Sequence, residues 1–123
     1  MQVARRPKHV VVAFDGSEGS LRALDAAADL GGYGSILTIV HVLGEGTEPN
    51  GTLDVAREQL LQRHLTARYL EPYGVAADEI VNAARELGAN LIVVGRRDAL
   101  GGTPGSVSDA VVKQATCDVL VVG

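Results

Sequence analysis

Aromatic side chains are scarce in this chain of 123 residues: three tyrosines, one phenylalanine and no tryptophan. Its core must therefore be built from Val, Leu, Ile and Ala. The scarcity argues against stacking platforms for single-stranded nucleic acid. There is a single cysteine, Cys117, so an intrachain disulfide is excluded and a reducing compartment fits. No apolar stretch approaches the roughly 20 residues that cross a bilayer. The first apolar run, Val10 to Phe14, is too short for a secretory signal. A net charge of −4 leaves no basic footprint for duplex DNA, and the Arg5, Arg6, Lys8 cluster reads as a solvated tail. The expectation is a soluble cytoplasmic protein with neither nucleic acid nor membrane as partner.

What the chain does have is an alternation of short apolar runs and amphipathic stretches. His9 to Phe14 is β-branched and continuously apolar after its first residue, as in a strand buried on both faces. Asp15-Gly16-Ser17 makes a turn, and a helix follows over 19–31 with Leu21, Leu24 and Ala28 on one face. Ser35 to Val42 reads as a second strand and Gly44 to Gly51 as a loop. A long helix is expected from about Leu53 to Glu71, ended by Pro72 and Gly74. Asp78 to Leu87 is a further helix, Asn90 to Val94 a strand, Ser106 to Ala115 a helix, and Asp118 to Val122 a final strand. The pattern implies one α/β domain over 1–123, a three-layer α/β/α sandwich around a parallel sheet.

In such a sheet, ligands bind beyond the carboxyl ends of the strands where the strand order reverses. Two turns qualify: Asp15-Gly16-Ser17, and the glycine-rich segment from Gly95 to Gly105-Ser106. The second can direct backbone N–H groups and a helix N-terminus at an anion. Each residue also has a plainer reading. Asp15 is an ordinary turn former, and Ser106 with Asp109 makes a capping pair. His9, His41 and His64 lack metal-ligand spacing and read as satisfied, partly buried histidines; no metal site is expected. Cys117 reads as a small buried hydrophobe. Neither Ser17 nor Ser106 sits in a nucleophile elbow, and no base is placed to activate water. A non-enzymatic role with no catalytic residue is therefore expected.

The opening Val10-Val-Val-Ala-Phe-Asp15-Gly-Ser17, the pair His41-Val42, the segment from Glu79 to Gly95, Gly105-Ser106-Val107-Ser108 and Cys117 to Val122 together resemble the universal stress protein (UspA-like) family along nearly the whole chain. The resemblance implies a parallel sheet of order 3-2-1-4-5, a homodimer through the last strand, and a stress-associated domain that binds ATP or AMP, with Mg accompanying ATP. It implies a nucleotide site at Asp15, Val42, Gly95, Arg96, Gly105, Ser106 and Val107. In that site Asp15 lies near the ribose or phosphates, the Val42 backbone meets adenine, and Gly105-Ser106 meet phosphate. Arg96 and Arg97 are candidates for further phosphate contacts on the same resemblance, with solvated loop charges as the plainer reading.

The chain departs from the family pattern in two respects. Family members that bind nucleotide carry Gly-x-x-Gly, nine residues, then Gly-(Ser/Thr). Here the second glycine is Asp98 and the spacer is six residues, Ala99 to Pro104. A carboxylate at that position repels phosphate unless it turns outward or holds a metal. The alternative function is a dimeric interaction or scaffold module without nucleotide. Secondly, only Val75 to Ala77 separates Gly74 from the Asp78 helix, which suggests that the third strand of the family is missing. The expectation is then a four-stranded sheet of order 2-1-4-5, its second strand covered by 69–77, with Tyr69 and Tyr73 as cover, or exchanged in a dimer. The apolar last strand, Val119, Leu120, Val121 and Val122, is expected to pair with its copy in a second subunit.

Overall fold

The computed structural model describes residues 7–31, 34–96 and 106–123. Elements alternate along the chain: β1 (His9–Ala13), α1 (Glu18–Gly31), β2 (Ile36–Val40), α2 (Thr52–Gln62), β3 (Arg68–Leu70), α3 (Ala76–Leu87), β4 (Leu91–Gly95), α4 (Ser106–Gln114) and β5 (Asp118–Val122). All strand pairs are parallel, in the order β3-β2-β1-β4-β5.

Side-chain alternation along the strands sorts the core onto two faces. Val10, Val12, Leu37, Ile39 and Val93 pack with Leu24 of α1 and Leu60 of α2. Val11, Ala13, Val40, Ile92 and Val94 pack with Ile80 of α3 and Val111 of α4. β1 is buried over its whole length, because it is central and covered on both sides. The α/β class and the three layers agree with the expectation.

The expected order 2-1-4-5 is corrected: a fifth strand, β3, flanks β2, and the family's third strand is present. The helix expected over 53–71 stops at Gln62 instead. Arg63 N–H donates to Leu60 O at 3.0 Å, His64 takes a left-handed φ of 58, and Leu65 N–H returns to Leu60 O at 2.9 Å. This is a helix stop built without glycine, at a residue type that tolerates the conformation better than most. The chain then runs antiparallel to α2 and lays Arg68–Leu70 against Thr38–Val40. The unpaired backbone groups along β2 supply the reason, since a strand there satisfies them. Tyr69 packs inward against the core, and the Arg57 guanidinium of α2 lies over its ring, 4.5 Å from the centroid. Thus 69–77 does cover β2, but as a strand and its continuation. Tyr73 bridges Leu43 through the backbone and leaves its side chain exposed.

β3 and β5 form the two edges. Within β5, Val121 is exposed and Val119, Leu120 and Val122 are half-buried. At the amino end of the sheet, His9 Nε2 and Thr38 Oγ1 are hydrogen-bonded at 2.8 Å, and Asn90 Oδ1 accepts from Lys8 and His9 N–H. Burial, and secondarily the Arg68 charge, push the His9 imidazole below its ordinary pKa. No helix among the described residues is long and apolar enough to cross a membrane.

Candidate functional site

The sheet is wound in opposite directions on either side of β1, because β1 is followed by α1 and β2 on one side and has β4 on the other. A crevice opens where the carboxyl ends of these strands diverge. It is lined by Asp15, Ser17, Ser20, His41, Val42 and Gly95, and on the α3 and α4 side by Ala76, Ile80 and Val107. The walls are mostly apolar, with polar groups confined to the rim, as small-molecule sites commonly are. Among the described lining residues, Asp15 is the one carboxylate, and there is no lysine or arginine.

The first rim is a hydrogen-bonded turn. Gly16 takes a φ of 84, which lets the chain leave β1 sharply. Asp15 Oδ1 accepts from Ser17 N–H at 2.9 Å, an Asx turn. Ser17 Oγ accepts from Ser20 N–H at 3.1 Å, so Ser17 caps α1. Ser20 Oγ donates to Ser17 O at 3.0 Å and accepts from Asp15 N–H at 3.3 Å. Both readings of Asp15 hold together: the carboxylate forms the turn, and it lines the crevice from a fixed, exposed position.

The second rim is the end of β2. Backbone groups of alternate β2 residues face opposite neighbours. Phe14 N–H donates to Val40 O at 2.9 Å, whereas His41 N–H turns the other way and donates to Leu70 O at 3.0 Å. Val42 therefore faces the β1 side, but the chain has already turned away there at Asp15. Among the described residues, no backbone hydrogen bond engages Val42. Its N–H and C=O, one donor and one acceptor, lie beside the crevice with no backbone partner among the described residues.

Gly95 borders the crevice too, but its neighbours give the glycine a different cause. A Cβ at this position would lie 2.5 Å from Gly19 O, 2.6 Å from Gly19 C and 3.0 Å from Ser20 N. The end of β4 runs directly against the first turn of α1, backbone to backbone, and only glycine fits. The role expected for Gly95, permitting approach to a ligand, is thus preceded by a structural one.

Of the seven sequence-derived positions, Asp15, Val42, Gly95 and Val107 meet at the crevice. Arg96 is exposed and donates its N–H to Val122 O at 2.9 Å, outside the lining. Ser106 is exposed at the start of α4. Gly105, together with Arg97 and Asp98, lies outside the described residues. Ser20, His41, Ala76 and Ile80 escaped the sequence reading as site residues. Ser20 is legible as the third residue after a capping serine, and Ile80 as an inward helix position. His41 Nδ1 donates to Glu71 Oε2 at 2.8 Å, a partner 30 residues away on a strand the sequence pattern concealed. His64 lies beyond the end of α2 rather than on its inner stripe. Cys117 sits half-buried at the other end of the sheet. Burial, and next the Asp118 charge, push its thiol pKa up, so it is a poor nucleophile.

Known proteins resemble this chain in sequence and fold. The model of the universal stress protein family matches residues 7–123. Universal stress protein YxiE of Bacillus subtilis (strain 168) is 32% identical over 143 residues, covering 92% of this chain and 97% of its own. A universal stress protein solved in complex with cAMP superposes with a TM-score of 0.79 at 27% identity, covering 97% of this chain and 98% of the other. A universal stress protein family protein from Arabidopsis thaliana, solved with AMP bound, shares the fold at a TM-score of 0.70 and 18% identity, covering 94% and 90%. The chain belongs to the universal stress protein family.

Proposed function

We propose that the chain is a stress-associated regulatory domain that binds an adenine nucleotide in the crevice above β1. The observation that carries the reading is Val42. Its N–H and C=O, without a backbone partner among the described residues, form a donor–acceptor pair on one side of the crevice, complementary to the N1 acceptor and N6 donor of adenine. The apolar walls, Val107 and Ile80 among them, suit the purine faces. Asp15, fixed by the turn, suits a ribose hydroxyl. The N-terminus of α4 at Ser106 favours an anion. The relative solved with cAMP supports a purine nucleotide as ligand class, and ATP with Mg and AMP both fit the reading.

A binding role without catalysis is part of the same reading, in which Asp15 serves the turn through its bond from Ser17 N–H. Homodimerisation through β5 is part of the same reading, supported by the apolar residues along that edge. Sedimentation that yields a monomer at all concentrations would refute the dimer. A cytoplasmic location is likewise proposed, on the lone cysteine.

A second reading, an interaction module of this fold without nucleotide, is favoured by the charge of the site. The described lining carries a carboxylate and no cation, and the sequence sets Asp98 where nucleotide-binding relatives have glycine. Isothermal titration with ATP and with AMP, with and without Mg, separates the two. Saturable micromolar binding that is lost in Gly105→Val supports the nucleotide domain. No heat up to millimolar nucleotide, from folded protein, leaves the interaction module.

A further inference from the structure

The donor–acceptor pair at Val42 recognises a base only if residues 41–43 are held still, and β1 does not hold them. All the described bonds that fix this segment come from the opposite flank, β3 and its continuation. His41 N–H donates to Leu70 O at 3.0 Å, Leu43 N–H to Pro72 O at 2.8 Å, and Gly74 N–H to Leu43 O at 3.0 Å. One side-chain contact joins them: His41 Nδ1–H donates to Glu71 Oε2 at 2.8 Å, with the two side chains only 11% and 22% exposed. A sheltered, charge-assisted bond of this kind is short and geometrically demanding. Exposed surface pairs elsewhere, such as Arg57 with Asp54, are open to solvent and screening.

We infer that Glu71, acting through His41, is a positioning residue for base recognition: it clamps the end of β2 so that the Val42 N–H and C=O face the crevice in register with adenine. The clamp sits next to the recognition residue in sequence but on the far flank of the strand. Glu71 therefore touches no ligand, and its effect falls on geometry. Removing the carboxylate leaves the three backbone bonds, so the fold persists while the angle of the 41–43 segment loosens. Small errors in the placement of a hydrogen-bonding pair degrade selectivity more than they degrade general affinity, because correct and incorrect bases share the apolar contacts and differ only at the polar edge. The inference rests on the nucleotide reading above, and its test separates the two.

AMP and IMP are the probes. They differ at the six-membered edge of the base: AMP presents an acceptor at N1 and a donor at N6, IMP a donor at N1 and an acceptor at O6. Titration of the full chain should show AMP preferred over IMP. In Glu71→Ala, AMP affinity should fall about tenfold and the AMP-to-IMP preference should collapse towards unity. Glu71→Gln keeps an oxygen for the imidazole N–H and should restore most of the preference. Melting temperatures of the three proteins, measured alongside, report on the fold. The inference is overturned if folded Glu71→Ala keeps the wild-type preference. It is equally overturned if both variants lose affinity for AMP and IMP alike in proportion to a falling melting temperature, since Glu71 would then serve the edge strand alone. If the wild-type chain binds neither probe, the nucleotide reading itself falls and this inference with it.

Discussion

Replacing Gly95 by alanine probes the contact on which both the fold and the crevice depend. The added methyl would stand 2.5 Å from Gly19 O and 2.6 Å from Gly19 C, with Ser20 N at 3.0 Å. Comfortable carbon contacts begin near 3.5 Å, so β4 and the first turn of α1 must separate by roughly 1 Å. All three neighbours are backbone, so no rotamer change relieves the clash. Overpacking typically costs about 1–3 kcal/mol, and an obstruction made wholly of backbone belongs at the upper end, about 3 kcal/mol. For a domain of this size that corresponds to a fall in Tm of roughly 10 °C or more. The displaced turn carries Ser17 and Ser20, which line the crevice, so nucleotide affinity should fall as well. Urea denaturation and calorimetry of Gly95→Ala measure the cost. Gly34→Ala is the control, because a Cβ there meets nothing within 4 Å. A loss under about 0.5 kcal/mol in Gly95→Ala, comparable to an ordinary surface substitution, would refute the close-packing explanation of this glycine.

Ser17→Ala removes the α1 cap and should cost about 1 kcal/mol in urea denaturation. The Asx bond from the Ser17 backbone N–H to Asp15 survives this change, so nucleotide binding should fall less than stability; unchanged stability would mean the cap is dispensable. The depressed pKa of His9 sets the sign of an acid effect. The unfolded chain binds the proton more readily than the folded one, so stability is full above the ordinary histidine pKa of about 6.5 and declines as pH falls from there toward the lower folded value. In His9→Gln this component of the acid sensitivity below about pH 6.5 should disappear. A parent and variant with the same pH dependence of melting would show that His9 is not its source.

The contrast between the two edges of the sheet shows where the pattern in the chain speaks and where it is silent. Asp118 to Val122 was legible to the residue, because four consecutive apolar residues, three of them valine, follow Asp118 after a helix end. Arg68–Leu70 was not legible. Three residues are too few to establish a period of two, and Leu60, His64 and Ala67 continue the helical spacing of α2 straight through the turn. The stop at Arg63-His64 uses neither glycine nor proline, so the usual punctuation is missing. Among the site residues, Asp15 and Gly95 stand out as the ends of apolar runs. Their roles are less visible: the glycine answers to Gly19, 76 residues earlier in the chain, and His41 answers to Glu71.

What the sequence determined alone is the alternation of strands and helices, the parallel sheet that follows from it, and the two turns at which a ligand site can form. These depend on local periodicity and turn chemistry, which act over a few residues. The tertiary structure decided the rest. It closed the open flank of β2 with a strand of weak local preference, because unpaired backbone groups along a central run must be satisfied by whichever segment reaches them. It left Val42 without a backbone partner among the described residues because β1, whose last registered pair is Ala13 with Val40, turns away at Asp15, and it brought Glu71 to His41 across the new strand pair. Contacts between residues distant in the chain follow from which edges need partners, and that is known only once the sheet is assembled.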